Sequence, residues 1–275
     1  MTVPRRLLLL AGFLGVLVAA LWLWLPDQED PIPAGIRRAD FEVDSHFVDG
    51  PRDAIGLVPV SMVARPPLLV LLHGRGGEPK DLLSAELFKA LLDRGADAPI
   101  VVLLDGGEAS YWHDRADGAW GRYVVNEAIP AAAEELGADG DRVAIGGISM
   151  GGFGALDLAR LFPSRFCAVG GHSAALWRTG GETPNGAFDD AEDFARHDLF
   201  AAAEAGPVYE MPVWIDVGDD DPFVEADKAF AGLLEEQGAD VTLHTAPGEH
   251  SYSYWNPHMD EYIDFYSDAL AACGG

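Results

Sequence analysis

The stretch Gly147-Ile148-Ser149-Met150-Gly151 limits this chain to few folds, because a strand pattern runs into it and a helix pattern leaves it. Arg142 to Gly146 reads as a short apolar strand, and Phe153, Leu156 and Leu161 recur near helical spacing until Pro163 stops them. A serine between a strand end and a helix start sits in a sharp, strained turn. The residues two places to either side must then be small, and here they are Gly147 and Gly151, with Gly152 following. Such a turn lifts the hydroxyl clear of a sheet edge, where a reactant can reach it.

The rest of the chain supplies the sheet that this turn requires. Two strands are expected around Phe41–Val48 and Ala54–Val63, and Leu68–Leu72 is the continuous apolar run of a strand buried on both faces. Ile100–Leu104, Phe166–Gly170, Val213–Val217 and Val241–Thr245 extend the series. Helices are expected between them, from the Leu83, Leu87, Leu91 stripe closed by Gly95 to Pro222–Leu234. A last helix, Pro257–Ala272, has Asn256 as its cap. This alternation predicts the α/β class, a mainly parallel central sheet with helices on both faces. With no internal repeat and no linker, residues 41–275 read as one domain. Residues 174–206 break the alternation at Gly180-Gly181 and Pro184-Asn185-Gly186, and read as an insertion over the carboxyl edge, forming a lid or pocket wall.

Leu7 to Leu25 carries no charge and follows Arg5 and Arg6, whereas Asp27, Glu29 and Asp30 come after it. At ~1.5 Å per residue this run spans a bilayer. The charge order places the amino terminus inside and the remainder outside the cytoplasm. Residues 1–25 are therefore read as an uncleaved membrane anchor, with 26–40 a Pro-rich, charged tether. The alternative is a secreted protein whose signal peptide is cut after Ala20. The chain has 45 Asp and Glu against 18 Lys and Arg, which argues against nucleic acid and anionic headgroups as partners. Cys167 and Cys273 are too few for a disulfide scaffold or a cysteine metal site; they are either one cross-domain pair or two buried thiols.

A serine hydroxyl becomes a nucleophile when a base takes its proton and an acid orients that base. After an elbow of this kind the acid follows the next-to-last strand and the histidine follows the last. His250, in Pro247-Gly248-Glu249-His250, occupies the histidine place, while His244 lies in the strand, His258 in the closing helix and His73 before the elbow. Three aspartates, Asp219 to Asp221, crowd the acid place. Asp221 is preferred, although it is also placed to cap the next helix, and Asp219 is the alternative. Oxyanion donors are expected from the backbone N–H of Met150 and from that of Arg75 in His73-Gly74-Arg75-Gly76-Gly77.

Together with Gly218-x-x-Asp221-Pro222-Phe223 and Gly248-x-His250-Ser251-x-x-x-Trp255, these segments resemble an α/β-hydrolase. Within that superfamily they are similar to the esterase group that includes S-formylglutathione hydrolases, feruloyl-type esterases and mycolyltransferases. Asp105-Gly106-Gly107 before Ser110-Tyr111-Trp112, and Trp120 before Glu127-Ala128-Ile129-Pro130, add to the likeness, which covers roughly residues 65 to 270. It implies Ser149 as nucleophile, His250 as base, Asp221 as acid, and the Arg75 and Met150 N–H groups as oxyanion donors. Tyr111, Trp112, Trp120, His172, Trp177 and Trp255 are candidate pocket residues. No cofactor is expected, and no metal, since His-Glu-x-x-His is absent and Asp219 to Asp221 lack calcium-loop spacing. The expected activity is that of an extracytoplasmic serine esterase acting on a small-molecule, glycolipid or polysaccharide ester. An acyltransferase with a sugar or lipid alcohol as acceptor, and a non-catalytic binding module of the same fold, are the alternatives.

Overall fold

Eight strands form one sheet in the order β1-β2-β4-β3-β7-β8-β9-β10 in the computed structural model, which describes residues 30–273. The first two, β1 (Ile36–Val43) and β2 (Arg52–Pro59), run antiparallel, and β2 pairs antiparallel with β4 (Ile100–Leu104). From β4 through β3 (Pro67–Leu72), β7 (Asp139–Ile148), β8 (Ala168–His172) and β9 (Val213–Gly218) to β10 (Val241–Ala246) every pairing is parallel. A small hairpin, β5 (Asp114–Arg115) and β6 (Gly118–Ala119), stands apart.

The apolar runs explain the layers. Every residue of β3 and β4 is buried, as a strand covered on both faces requires. On one face pack Leu87, Phe88 and Leu91 of α1 (Ala85–Arg94) with Tyr262, Ile263, Tyr266 and Leu270 from the carboxyl-terminal helix. The other face carries Ile129 and Ala132 of α2 (Ile129–Leu136) and Phe153, Leu156 and Ala159 of α3 (Met150–Leu161). Two short helices, α4 (Ala191–Arg196) and α5 (Leu199–Ala205), precede Phe230 and Leu234 of α6 (Val224–Glu236) on that side. The chain closes with α7 (Met259–Ala272).

Several expectations need correction. The first strand starts at Ile36, inside the stretch read as tether, and the second ends at Pro59. The expected second strand overran into Ser61–Val63, and its exposed Val63 shows how an apolar residue in a loop mimics a strand. The last helix begins at Met259, because Asn256–His258 form a separate 3-10 turn carrying Pro257. Residues 174–206 run between β8 and β9 and are packed: Ala174, Leu176, Ala187, Leu199 and Phe200 are all buried. Cys167 and Cys273 form a disulfide with their Cα atoms 5.7 Å apart, tying the entry to β8 to the end of α7. A cross-link closing a loop of this size contributes about 4–5 kcal/mol in the chain-entropy account. The expected anchor at 1–25 lies outside the described residues. Among the described residues no helix is long and apolar enough to cross a membrane.

Candidate active site

The carboxyl ends of β7, β9 and β10 converge on one point. Ser149 follows β7 and starts α3 with φ 57° and ψ −114°, a conformation that costs a side-chain-bearing residue about 1–3 kcal/mol. Backbone bonds hold it there: its N–H donates to the His172 carbonyl (2.9 Å), and its own carbonyl accepts from Phe153 and Ala175 (both 3.0 Å). The flanking glycines are sterically compelled. A Cβ on Gly147 would stand 2.4 Å from the Gly151 backbone, and one on Gly151 would stand 2.1 Å from the Leu72 carbonyl oxygen.

His250 and Asp221 come from the adjacent ends of β10 and β9. These ends are locked by Asp219 N–H to the Ala246 carbonyl and Asp220 N–H to the Gly248 carbonyl, both 2.9 Å. His250 Nε2 lies 2.9 Å from Ser149 Oγ, and its Nδ1 lies 2.7 Å from Asp221 Oδ2. The carboxylate is buried whereas the imidazole is partly open. Burial pushes the Asp221 carboxyl up. Hydrogen bonds from His250, the Phe223 N–H and the Ser173 hydroxyl outweigh that burial and hold it below the usual carboxylate range. Asp221 is thus ionised at neutral pH, so Nδ1–H donates to it and Nε2 accepts from the serine hydroxyl. Asp219 is exposed beside Lys228, and Asp220 is exposed as well; neither bonds to His250. Asp221 also performs its turn role, since its Oδ1 accepts the Phe223 N–H at 2.8 Å. An oxygen placed this way can lose its proton to the imidazole as it attacks an electrophile, the resulting imidazolium being stabilised by the carboxylate.

The register of Leu72 against Gly147 brings the His73–Gly77 loop beside the elbow, where a Cβ on Gly74 would touch Ser149 Cβ at 3.5 Å. His73 is fully buried and fixes this loop: its Nδ1–H donates to the Gly74 carbonyl (2.8 Å), and its Nε2 accepts the Gly106 N–H (3.1 Å). Burial lowers its pKa, which keeps the ring in the neutral form that this arrangement needs. Gly76 and Gly77 donate their N–H groups to Glu108 and Gly74 carbonyls, while no acceptor among the described residues engages the Arg75 N–H. The Met150 N–H stands at the first turn of α3, at the positive end of that helix's dipole.

The candidate pocket residues divide. Tyr111 and Trp177 meet with ring centres 5.5 Å apart, and Phe223 links Trp177 (5.8 Å) to His250 (5.3 Å). Trp255 stands edge-on to His250 at 5.0 Å and donates its Nε1–H to Ser173 Oγ. The other three have different work. Trp112 is fully buried against Gly106 and Gly154 and donates to the His73 carbonyl. Trp120 packs under the Arg52 guanidinium and donates to Asp117. The His172 ring is held in the core between Asp216 (2.5 Å) and the Tyr266 hydroxyl (2.9 Å). Phe153 and Phe188, which complete the aromatic wall around Tyr111, were missed. Phe153 belongs to the helical stripe of the sequence, and Phe188 lies in a segment without periodicity.

A family profile described as "Putative esterase" matches residues 58–265. The chain belongs to this esterase family. An esterase of Mycobacterium tuberculosis is 25% identical over 226 residues, covering 68% of this chain and 49% of that protein. The chain therefore spans about half the length of this curated relative. An acetyl esterase of Caldicellulosiruptor saccharolyticus is 25% identical, covering 72% of this chain and 82% of that one. Among solved structures, a ferulic acid esterase aligns with a TM-score of 0.72 at 20% identity, over 87% of this chain and 100% of the other. An S-formylglutathione hydrolase from Agrobacterium tumefaciens aligns at 0.71 and 21% identity, over 89% and 99%. These neighbours share the α/β-hydrolase fold.

Proposed function

We propose that this chain is a serine esterase that cleaves carboxylic esters through an acyl-enzyme outside the cytoplasm. The observation that carries the reading is the unbroken hydrogen-bonded line from Ser149 through His250 to Asp221, set on an elbow with positive φ at the serine. Ser149 Oγ attacks the ester carbonyl as His250 Nε2 takes its proton, and the ionised Asp221 stabilises the imidazolium. The Arg75 and Met150 N–H groups receive the oxyanion. His250 then protonates the departing alkoxide, and the alcohol leaves an acyl group on Ser149. Water, deprotonated by the same imidazole, attacks that acyl group and releases the acid. Tyr111, Trp177, Phe188 and Phe223 form the aromatic side of the pocket and suit an apolar group of the ester.

The Cys167–Cys273 disulfide supports an oxidising compartment, in keeping with residues 7–25 as an anchor in the membrane. Fractionation of the native host should find the chain with membranes. A mature start at Leu21 would instead mean secretion. For the chemistry, Ser149→Ala should fold normally and lose at least about 10⁴-fold in turnover of a short-chain nitrophenyl ester, because the three residues act as a unit. Near-normal turnover by this variant would remove the nucleophile assignment.

A further inference from the structure

His113, Asp193 and His197 lie together in the interior, all buried, with one ligating atom from each within 4.8 Å of the others. They come from different parts of the chain. His113 precedes β5, whereas Asp193 sits in α4 and His197 caps its carboxyl end, one helical turn later on the same face. His113 Nε2 is 3.1 Å from Asp193 Oδ2, and His197 Nε2 is 3.8 Å from Asp193 Oδ1. Donor atoms around a four-coordinate ion with bonds near 2.0–2.1 Å stand about 3.3–3.5 Å apart, so these spacings need little adjustment. Two of the three ligands have the outer contacts that a metal site needs, whereas His113 Nδ1 has no hydrogen-bond partner among the described residues. His197 Nδ1 is held by the buried Asp157 at 2.7 Å, which turns Nε2 toward Asp193. Asp193 is steadied by the Asp189 N–H on Oδ2 (2.8 Å) and by the half-exposed Arg196 on Oδ1 (2.9 Å).

The geometry points to a site for a divalent transition metal of the zinc class, held by His113, Asp193 and His197 with a solvent molecule completing the four-coordinate shell. Two imidazole nitrogens and a carboxylate suit such an ion better than calcium or magnesium, which prefer all-oxygen shells. The ion fastens α4 of the 174–206 insertion to the loop that bears Tyr111. Since His113 stacks on Phe188 at 5.0 Å, it also stiffens the aromatic wall.

Cobalt(II) is a direct probe. The full chain in detergent, stripped with a chelator, should take up one equivalent and develop the intense visible bands of four-coordinate cobalt. Zinc should displace it and raise the melting temperature by several degrees. Asp193→Asn and His197→Asn should abolish the bands while circular dichroism reports a folded chain. Asp157→Asn should weaken binding about 10–100-fold. Absence of four-coordinate bands in the wild type overturns the site, whatever the variants do. Bands that persist in either folded ligand variant overturn it too, by placing the ion elsewhere. None of these readouts involves ester turnover, so the result is independent of the role of Ser149.

Discussion

Two histidine–aspartate pairs stand at neighbouring strand ends in this molecule, and they differ in everything except the pair itself. His250 bonds Asp221 through Nδ1 and presents Nε2 to a serine hydroxyl, with the imidazole partly exposed. His172 bonds Asp216 through Nδ1 and presents Nε2 to the Tyr266 hydroxyl, with all three residues buried. Asp216 further accepts from the Tyr262 hydroxyl and the Trp214 N–H. A carboxylate behind an imidazole is therefore not in itself a catalytic device. What separates the two is a strained serine at the far nitrogen and the partial exposure of the imidazole. The core pair contributes to the first one indirectly, since the His172 carbonyl anchors the Ser149 N–H.

Substitution should separate the pairs cleanly. Asp221→Asn keeps the turn oxygen and removes the charge behind His250, and should lower turnover by up to ~10⁴-fold. Asp219→Asn should stay within about tenfold of wild type. If Asp219→Asn were the crippled variant in steady-state assays, the acid would have to be reassigned. Arg75 sharpens the same point at the oxyanion, because its proposed donor is backbone. Arg75→Pro should cost about 10²–10³-fold in turnover and Arg75→Ala little. A large loss with alanine would give the guanidinium a part in the reaction.

Asp216→Asn should behave in the opposite way. Breaking a buried, charge-bearing network costs about 3–5 kcal/mol of stability, read by denaturant unfolding, while the folded fraction keeps turnover within about tenfold. A catalytic loss as deep as that of Asp221→Asn would erase the distinction between the two pairs. The smallest effect concerns acid stability. The folded-state pKa of Asp221 is depressed, so its contribution is present above the ordinary carboxylate pKa and is lost as pH falls through the folded value. The melting temperature of Asp221→Asn should accordingly fall less steeply than that of wild type below about pH 4.

What the sequence made legible was whatever depends on local sterics. Gly147 and Gly151 each face a backbone atom within a Cβ's reach, and Gly218 would collide with the Gly248 carbonyl at 2.3 Å. Those demands fall on fixed offsets around Ser149, Asp221 and His250, so the motifs carry them openly. The pocket wall obeys no such offset. Tyr111 and Trp112 are consecutive aromatics, both with positive φ, and the turn sends one to the wall and the other under Gly154. His172 was unreadable for a similar reason: its ring direction depends on Asp216 and Tyr266, far away in sequence. The His113, Asp193 and His197 group escaped the metal motifs because its first member precedes Asp193 by 80 residues. The early strand at Ile36–Val43 was hidden by a half-exposed, charge-rich pattern that reads as tether.

The account rests on Ser149 being the one nucleophile raised by the fold and activated by His250. Treating the folded chain with a fluorophosphonate and mapping the adduct by peptide mass spectrometry tests this directly. The expected result is a single covalent adduct on Ser149, formed rapidly in wild type, absent in Ser149→Ala and slowed at least a hundredfold in His250→Ala. An unlabelled Ser149 in folded wild type, or labelling undiminished by loss of His250, would contradict it.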